Sequence, residues 1–201
     1  MVISKSELRA EARARRKRLA QASPDAANRL ASHADALLDA LFGREAGWAQ
    51  EVARGRRLTV ALYRARGAEI DPAILARVLM ERSCDLCLPV VEVADAPLVF
   101  RAWAPGQALI PDLAGSPAPL AAATVVGPDL ILCPLLAFDL QGGRLGQGGG
   151  YYDRTLAARP GVAFVGLAYA GQEADRLPME PHDIPLHGVL TEVGYTACRK
   201  V

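Results

Sequence analysis

Three consecutive stretches decide the fold: Asp129-Leu-Ile-Leu-Cys-Pro-Leu-Leu-Ala-Phe138, then Arg144-Leu-Gly-Gln-Gly-Gly-Gly-Tyr-Tyr-Asp153, then Val162-Ala-Phe-Val-Gly-Leu-Ala168. The outer two are short apolar runs bounded by turn residues, the pattern of strands buried on both faces. Between them stand Gly146, Gly148, Gly149 and Gly150. A glycine cluster costs conformational entropy on folding. Its usual return is close approach of the backbone to a ligand, often a phosphate, through exposed N–H groups. The cluster opens into Tyr151-Tyr-Asp-Arg-Thr-Leu-Ala157, which reads as a helix halted by Pro160-Gly161. Arg144 adds a fixed cation, and Asp153 adds a carboxylate that suits Mg²⁺. Glycines, cation and carboxylate in one run point to nucleotide phosphate; the alternative is a flexible surface loop.

Upstream, Leu58–Tyr63, Leu86–Val91 and Leu98–Trp103 read as strands, the last a charge-bearing edge. Asp71 and Pro72 start a helix running to about Arg82. Glu69 falls just past the C-terminal end of a buried strand, where ligands bind in open α/β sheets; a solvated carboxylate is the alternative. Ser23-Pro24-Asp25 starts one helix carrying the stripe Leu30, Ala34, Leu37, Leu38 and Leu41, with a structural His33 beside it. Gly43 ends that helix, and 43–57 reads as loop. Residues 104–128 form a Pro-, Gly- and Ala-rich connection of a length that is often functional. Downstream, 172–187 reads as irregular. His182, Asp183 and His187 there form a loose cluster whose zinc signal is weak, while Asp183 suits Mg²⁺ as a second oxygen donor. Val189–Val193 closes the sheet. Alternating strands and helices predict an α/β domain in three layers, with a largely parallel sheet covered on both faces.

The N-terminus stands apart. Ser4-Lys-Ser-Glu7 is a capping-box pattern starting a helix to about Ala20. Lys5, Arg9, Arg13 and Arg16 share one helical face, and Leu8, Ala12 and Leu19 mark another. Segment 1–20 is thus a basic helical arm on a mildly acidic body. It reads either as a solvated helix or as an arm that lays its cations over an anionic ligand. A chain of 201 residues, 51% hydrophobic and 22% charged, is one domain spanning 1–201 with a core of ordinary size. A net charge of +1 does not argue for nucleic acid. No apolar run is long enough to span a bilayer, and no secretory core is present. Cys84, Cys87, Cys133 and Cys198 fit a reducing cytoplasm. Cys84-Asp-Leu-Cys87 has redox spacing but no second pair, and reads as two structural thiols.

Lys5-x-x-Leu8-Arg9, Glu69-Ile-Asp71, Phe100-Arg-x-Trp103, Asp129-Leu-Ile-Leu-x-Pro134, Ala137-Phe-Asp139, Gly143-Arg-Leu-Gly-x-Gly-x-Gly-Tyr-Tyr-Asp-Arg154, Pro178-x-Glu180-x-x-Asp183 and Thr191-Glu192 fall in order along the chain. In these motifs the sequence resembles the 5-formyltetrahydrofolate cyclo-ligase family over nearly its whole length. The resemblance implies a fold similar to sugar-phosphate isomerases and CoA transferases. It implies an ATP- and Mg²⁺-dependent ring closure of 5-formyltetrahydrofolate to 5,10-methenyltetrahydrofolate through a phosphorylated formyl group. By the resemblance Lys5 and Arg9 grip ATP, Arg144 stabilises the transferring phosphoryl, and Leu145, Gly146, Gln147, Gly148, Gly149, Gly150, Tyr151, Tyr152 and Asp153 cradle the triphosphate. Asp153 and Asp183 hold Mg²⁺. Glu69, Tyr63 and Tyr151 contact the folate, with Trp103 a further candidate. A cytoplasmic monomer acting on folate and ATP, without nucleic acid or membrane, is expected. A non-catalytic relative binding nucleotide or RNA through the basic arm is the alternative.

The sequence also departs from that pattern. Gly149 stands where some members carry lysine, Gln147 where others have Tyr or Arg, and Ser116-Pro117 where many have Glu-Pro. The glycine loop therefore lacks a side-chain cation of its own, and Gln147 is expected to donate a hydrogen bond instead.

Overall fold

Side chains alternate between two faces along the central strands and are buried on both, so each strand feeds two cores. Leu58, Val60, Leu86, Leu88, Leu130, Leu132, Val165 and Leu167 face one; Ala61, Cys87, Ile131, Cys133 and Phe164 face the other. The computed structural model describes residues 4–43, 47–180 and 183–199. Its elements, in chain order, are α1 (Lys5–Ala22), α2 (Ala26–Ser32), α3 (Ala34–Phe42), α4 (Trp48–Ala53), β1 (Leu58–Ala61), α5 (Ala73–Glu81), β2 (Cys84–Val90) and β3 (Val99–Ala102). They continue with β4 (Leu109–Pro111), β5 (Pro117–Pro119), β6 (Leu130–Pro134), β7 (Ala137–Phe138), β8 (Arg144–Leu145), α6 (Tyr151–Ala157), β9 (Ala163–Leu167), β10 (Gly188–Thr191) and β11 (Gly194–Ala197).

The main sheet has seven strands in the order β11-β10-β9-β6-β1-β2-β3. The five inner strands run parallel, and β3 and β11 are antiparallel edges. Helices α2, α3 and α5 cover one face through Leu30, Leu37, Leu38, Leu75 and Leu79. Each of these fully buried leucines contributes about 1.5–3 kcal/mol of transfer free energy. Helix α6 covers the other face through Leu156. The chain leaves β1 toward β2 on one side and returns through β6 on the other. The sheet therefore has a topological switch between β1 and β6, and ligands bind outside the carboxyl ends of strands at such a point.

The N-terminal arm is part of the body. The capping box at Ser4 and Glu7 forms, and α1 runs to Ala22. Leu8 and Ala12 pack on Leu136, Ala137, Leu145 and Leu177, next to the glycine loop. At its far end Leu19 lies where a side chain on Gly171 would be, with a Cβ there only 2.5 Å from Leu19 Cδ2. Glycine at 171 thus sets how closely α1 can dock.

Several local expectations change. The helix predicted over residues 24–41 is two, α2 and α3, broken at His33. The region 43–57, read as loop, contains α4, whose Trp48 is buried and donates from Nε1 to Arg82 O at 3.0 Å. The sheet does not close at Val193; a further antiparallel strand, β11, pairs along β10. The long connection 104–128 holds the hairpin β4–β5. Cys84 and Cys87 lie on opposite faces of the sheet, and burial pushes each thiol up to about 12, so neither supplies thiolate at neutral pH. Among the described residues no helix is long and apolar enough to cross a membrane.

Candidate functional site

The loops that follow β1 and β6 meet over the switch point and enclose a cavity of about 610 Å³. Every candidate for the phosphate, ring and metal roles lines it: Lys5, Arg9, Tyr63, Glu69, Arg144, the run Leu145–Asp153 and Asp183. Trp103 does not; it is buried in the core. The hairpin β4–β5 supplies the outer wall through Asp112, Ala114, Ser116 and Pro117.

Asp139 sets the position of Arg144. Its carboxylate is buried and accepts from Gln141 N at 2.9 Å, Gly143 N at 2.8 Å and Leu177 N at 2.8 Å. That closes the tight turn between β7 and β8, and β8 then delivers Arg144 to the cavity. The guanidinium lies 5.1 Å over the Phe164 ring and is ion-paired with Asp153. Its Nε is buried with no partner, and its side chain is only 9% exposed. This is a largely desolvated cation with unused donor capacity in a residue that lines the cavity.

The glycine loop is held from both sides. Gly148 sits at φ +102°, and a Cβ there would lie 3.3 Å from the Arg9 guanidinium carbon. Arg9 Nε donates to Gly146 O at 3.1 Å, and Arg154 Nη2 donates to Gly149 O at 2.7 Å. Gln147 Oε1 takes bonds from Arg13 Nε at 3.2 Å and Arg13 Nη2 at 3.0 Å. Arg13 thus holds the amide by its oxygen, which leaves the Nε2 donors of Gln147 for the cavity that it lines. Lys5 reaches Glu180 at 2.8 Å and Asp183 at 3.5 Å. Burial alone lowers the Lys5 pKa, but these carboxylates outweigh it and the net shift is upward, so Lys5 stays charged at any assay pH.

The opposite wall follows β1. Tyr63 presents its ring, because its hydroxyl is spent on Ile70 O at 2.7 Å; burial holds its pKa well above the usual phenol range. Glu69 accepts from Arg66 N at 3.0 Å and pairs with Arg16 at 3.4 Å, both side chains 8% exposed. Tyr152 lies between the walls, within electrostatic reach of both Glu69 and Arg144, and burial raises its pKa. Arg16 was legible only as a fourth cation on the α1 face; helical spacing does not say that it turns to Glu69.

Two aspartates are the metal candidates. Asp153 Oδ1 also accepts from Ile184 N at 3.1 Å, which brings the residue after Asp183 against Asp153. Among the described residues no group of three or more His, Cys, Asp or Glu could hold a metal by itself. An oxygen-only pair fits Mg²⁺ completed by phosphate and water, not a zinc cage. His187 is turned away, its Nδ1 accepting from Phe164 N at 3.0 Å; His182, in the same loose cluster, lies outside the described residues.

Comparison with known proteins agrees with this architecture. The family model described as "5-formyltetrahydrofolate cyclo-ligase family" matches residues 2–192. The chain is 36% identical over 138 residues to the 5-formyltetrahydrofolate cyclo-ligase of Haemophilus influenzae, covering 65% of this chain and 74% of that one. It is 35% identical over 144 residues to that of Escherichia coli K12, covering 66% and 77%. Among solved structures, the Aquifex aeolicus 5,10-methenyltetrahydrofolate synthetase superposes with a TM-score of 0.72 at 28% identity, covering 99% of this chain and 95% of that one. A switch-point cavity walled by a basic helix and a glycine loop thus sits in a chain that belongs to the 5-formyltetrahydrofolate cyclo-ligase family.

Proposed function

We propose that the protein closes 5-formyltetrahydrofolate to 5,10-methenyltetrahydrofolate at the expense of ATP, with Mg²⁺ at Asp153 and Asp183. The observation that carries the reading is the division of one cavity. One wall holds Lys5, Arg9, Arg144 and the glycine loop, and the facing wall holds Glu69 and Tyr63.

The chemistry needs that division. A formyl oxygen on an amide is a poor leaving group. Its attack on the γ-phosphorus of ATP forms an O–P bond, breaks the bond to ADP and makes the oxygen a good leaving group. The neighbouring N10 amine then attacks the formyl carbon, the C–O bond breaks, and the departing phosphate carries away the oxygen and takes the N10 proton. The protein forms no covalent bond in this sequence, so its work is positioning and charge neutralisation. Lys5 and Arg9 bind the phosphates, and the loop turns its backbone N–H groups to them. Arg144, a largely desolvated cation that lines the cavity, stabilises the charge on the transferring phosphoryl. Glu69 accepts from the pterin N–H donors, and the ring of Tyr63 gives a flat apolar surface beside it. Bound Mg²⁺ would neutralise phosphate charge at the two aspartates.

The test is direct. Purified protein with 5-formyltetrahydrofolate, ATP and Mg²⁺ should generate the methenyl absorbance. No ATP-dependent product would remove the reading. For the alternative of an arm reaching RNA, Lys5, Arg9 and Arg16 are engaged by the protein while Arg13, Arg15, Lys17 and Arg18 stay exposed, so ATP-dependent turnover decides between the two readings.

A further inference from the structure

We infer that Arg16 is the positioning residue for Glu69, and that α1 thereby ties the folate wall of the cavity to the nucleotide wall; this rests on the cyclo-ligase reading above.

Arg16 does not line the cavity, but Glu69 does. Whatever Arg16 does for a ligand, it does through that carboxylate. The pair is 3.4 Å apart and both side chains are 8% exposed. Arg16 Nη1 is itself anchored on Leu135 O at 3.1 Å, a carbonyl that also accepts from Gln172 Nε2 at 3.0 Å. Arg16 Nε is buried with no partner. A guanidinium so desolvated and so sparsely bonded depends on its one carboxylate. An ionised carboxylate has about four lone-pair sites. Arg16 and Arg66 N occupy two of them, on Oε1 and Oε2. The rest are left for donors on a ligand, held in a direction that Arg16 fixes.

The same helix grips the other wall. Lys5, Arg9 and Arg13 bond to Asp183, Gly146 O and Gln147. From residue 5 to residue 16 a helix advances about 16 Å. One rigid element thus carries the contacts of both walls.

Arg16 could instead merely fasten α1 to the body. The two roles separate in the split of KM values. Arg16→Met should raise the KM for 5-formyltetrahydrofolate by about tenfold, the scale of one hydrogen bond to a charged group, and leave the KM for ATP within about twofold. Arg16→Lys, keeping the charge, should recover most of that loss. In the Glu69→Gln background Arg16→Met should add less than about a twofold change, because residues acting through one another are not additive. Parallel rises in both KM values would overturn the proposal. So would independent, multiplicative effects of Arg16→Met and Glu69→Gln. If Arg16→Met fails to fold, as judged by thermal melting, Arg16→Lys and the double variant decide, since the latter leaves no unpaired buried charge. Calorimetric binding of 5-formyltetrahydrofolate without ATP reads Arg16 and Glu69 even if the wild type forms no methenyl product, so failure of the reaction and failure of this inference stay distinct.

Discussion

The two walls of the cavity handle charge differently. On the glycine-loop wall, cations are paired with groups that the proposed reaction also needs. Lys5 reaches Asp183, and Arg144 pairs with Asp153. Lys5 keeps 28% side-chain exposure and its other partner Glu180 keeps 48%. The Lys5 pairs are worth about 0–1 kcal/mol and exchange readily, whereas Arg144–Asp153, at 9% and 13% side-chain exposure, is buried. On the β1 wall, Arg16 and Glu69 form a pair 8% exposed on both sides. Removing one member of such a pair costs about 3–5 kcal/mol, so it does not exchange. The difference therefore lies between Lys5, which on the proposed reaction can trade its carboxylates for phosphate, and the buried pair Arg16–Glu69, which resists such exchange.

The largest effect that could break this contrast is at Arg144. Arg144→Ala removes the cation proposed to stabilise the transferring phosphoryl, and kcat should fall about 10²- to 10³-fold. The KM for 5-formyltetrahydrofolate should hardly move, because the folate wall makes no contact through Arg144. Steady-state kinetics with each substrate varied checks this. A change confined to folate binding would show that Arg144 belongs to the other wall.

Asp153→Asn comes next. It removes one proposed metal donor and the counter-charge of Arg144 together. At limiting Mg²⁺ the rate should drop about 10- to 100-fold, the range for disturbing a metal's supporting ligands, and excess Mg²⁺ should restore part of it. A Mg²⁺ titration at fixed ATP is the measurement; an unchanged curve takes Asp153 out of the metal site.

How much of this was legible in the sequence depends on the range of the interaction. The capping box of α1, the apolar runs of β1 and β6 and the Gly146–Gly150 cluster are local signals, and each forms as read. The break at His33 was hidden because the apolar stripe runs through it unbroken. Helix α4 was hidden because six residues give no period; it stands on Trp48, whose partner Arg82 lies 34 residues away. Strand β11, Gly-Tyr-Thr-Ala, has almost no apolar content and exists because the edge of β10 lies open to it. Within the site, spacing put Lys5, Arg9, Arg13 and Arg16 on one helical face. It could not show that the last of them crosses 53 residues of sequence to Glu69. Nor could it show that Arg13 would hold the amide oxygen of Gln147.

A smaller effect tests whether the walls are separable. Gly148 lies at φ +102°, and a side chain there would crowd Arg9. Gly148→Ala should strain the loop by about 1–3 kcal/mol, raising the KM for ATP by about tenfold or more. Folate binding measured without ATP should stay within error. Equal loss at both ends would mean that the strain passes through α1, and the two walls would then be one unit.

The smallest effect is a gain. Gly149 carries no side-chain cation, and the loop contributes only backbone donors beside Arg144. Unlike Gly148 and Gly150, Gly149 does not have a left-handed φ, so a lysine can adopt its backbone without strain. A Cβ there would lie 3.0 Å from the Tyr151 ring, which must give by a few tenths of an ångström. Arg154 already lies 5.0 Å over that ring and bonds to Gly149 O at 2.7 Å, so the added ammonium has one near cation to avoid. If phosphate charge on this wall is incompletely neutralised, Gly149→Lys should raise the rate at low Mg²⁺ by a few-fold, roughly the worth of one more partly exposed charge contact, and flatten the Mg²⁺ dependence. The gain should vanish at saturating Mg²⁺, where the same charge is already compensated. A lysine that lowers the rate at every Mg²⁺ concentration would show that Arg154 and α1 have already supplied the charge the loop lacks, and that the glycine at 149 serves the approach of the phosphates rather than marking a missing cation.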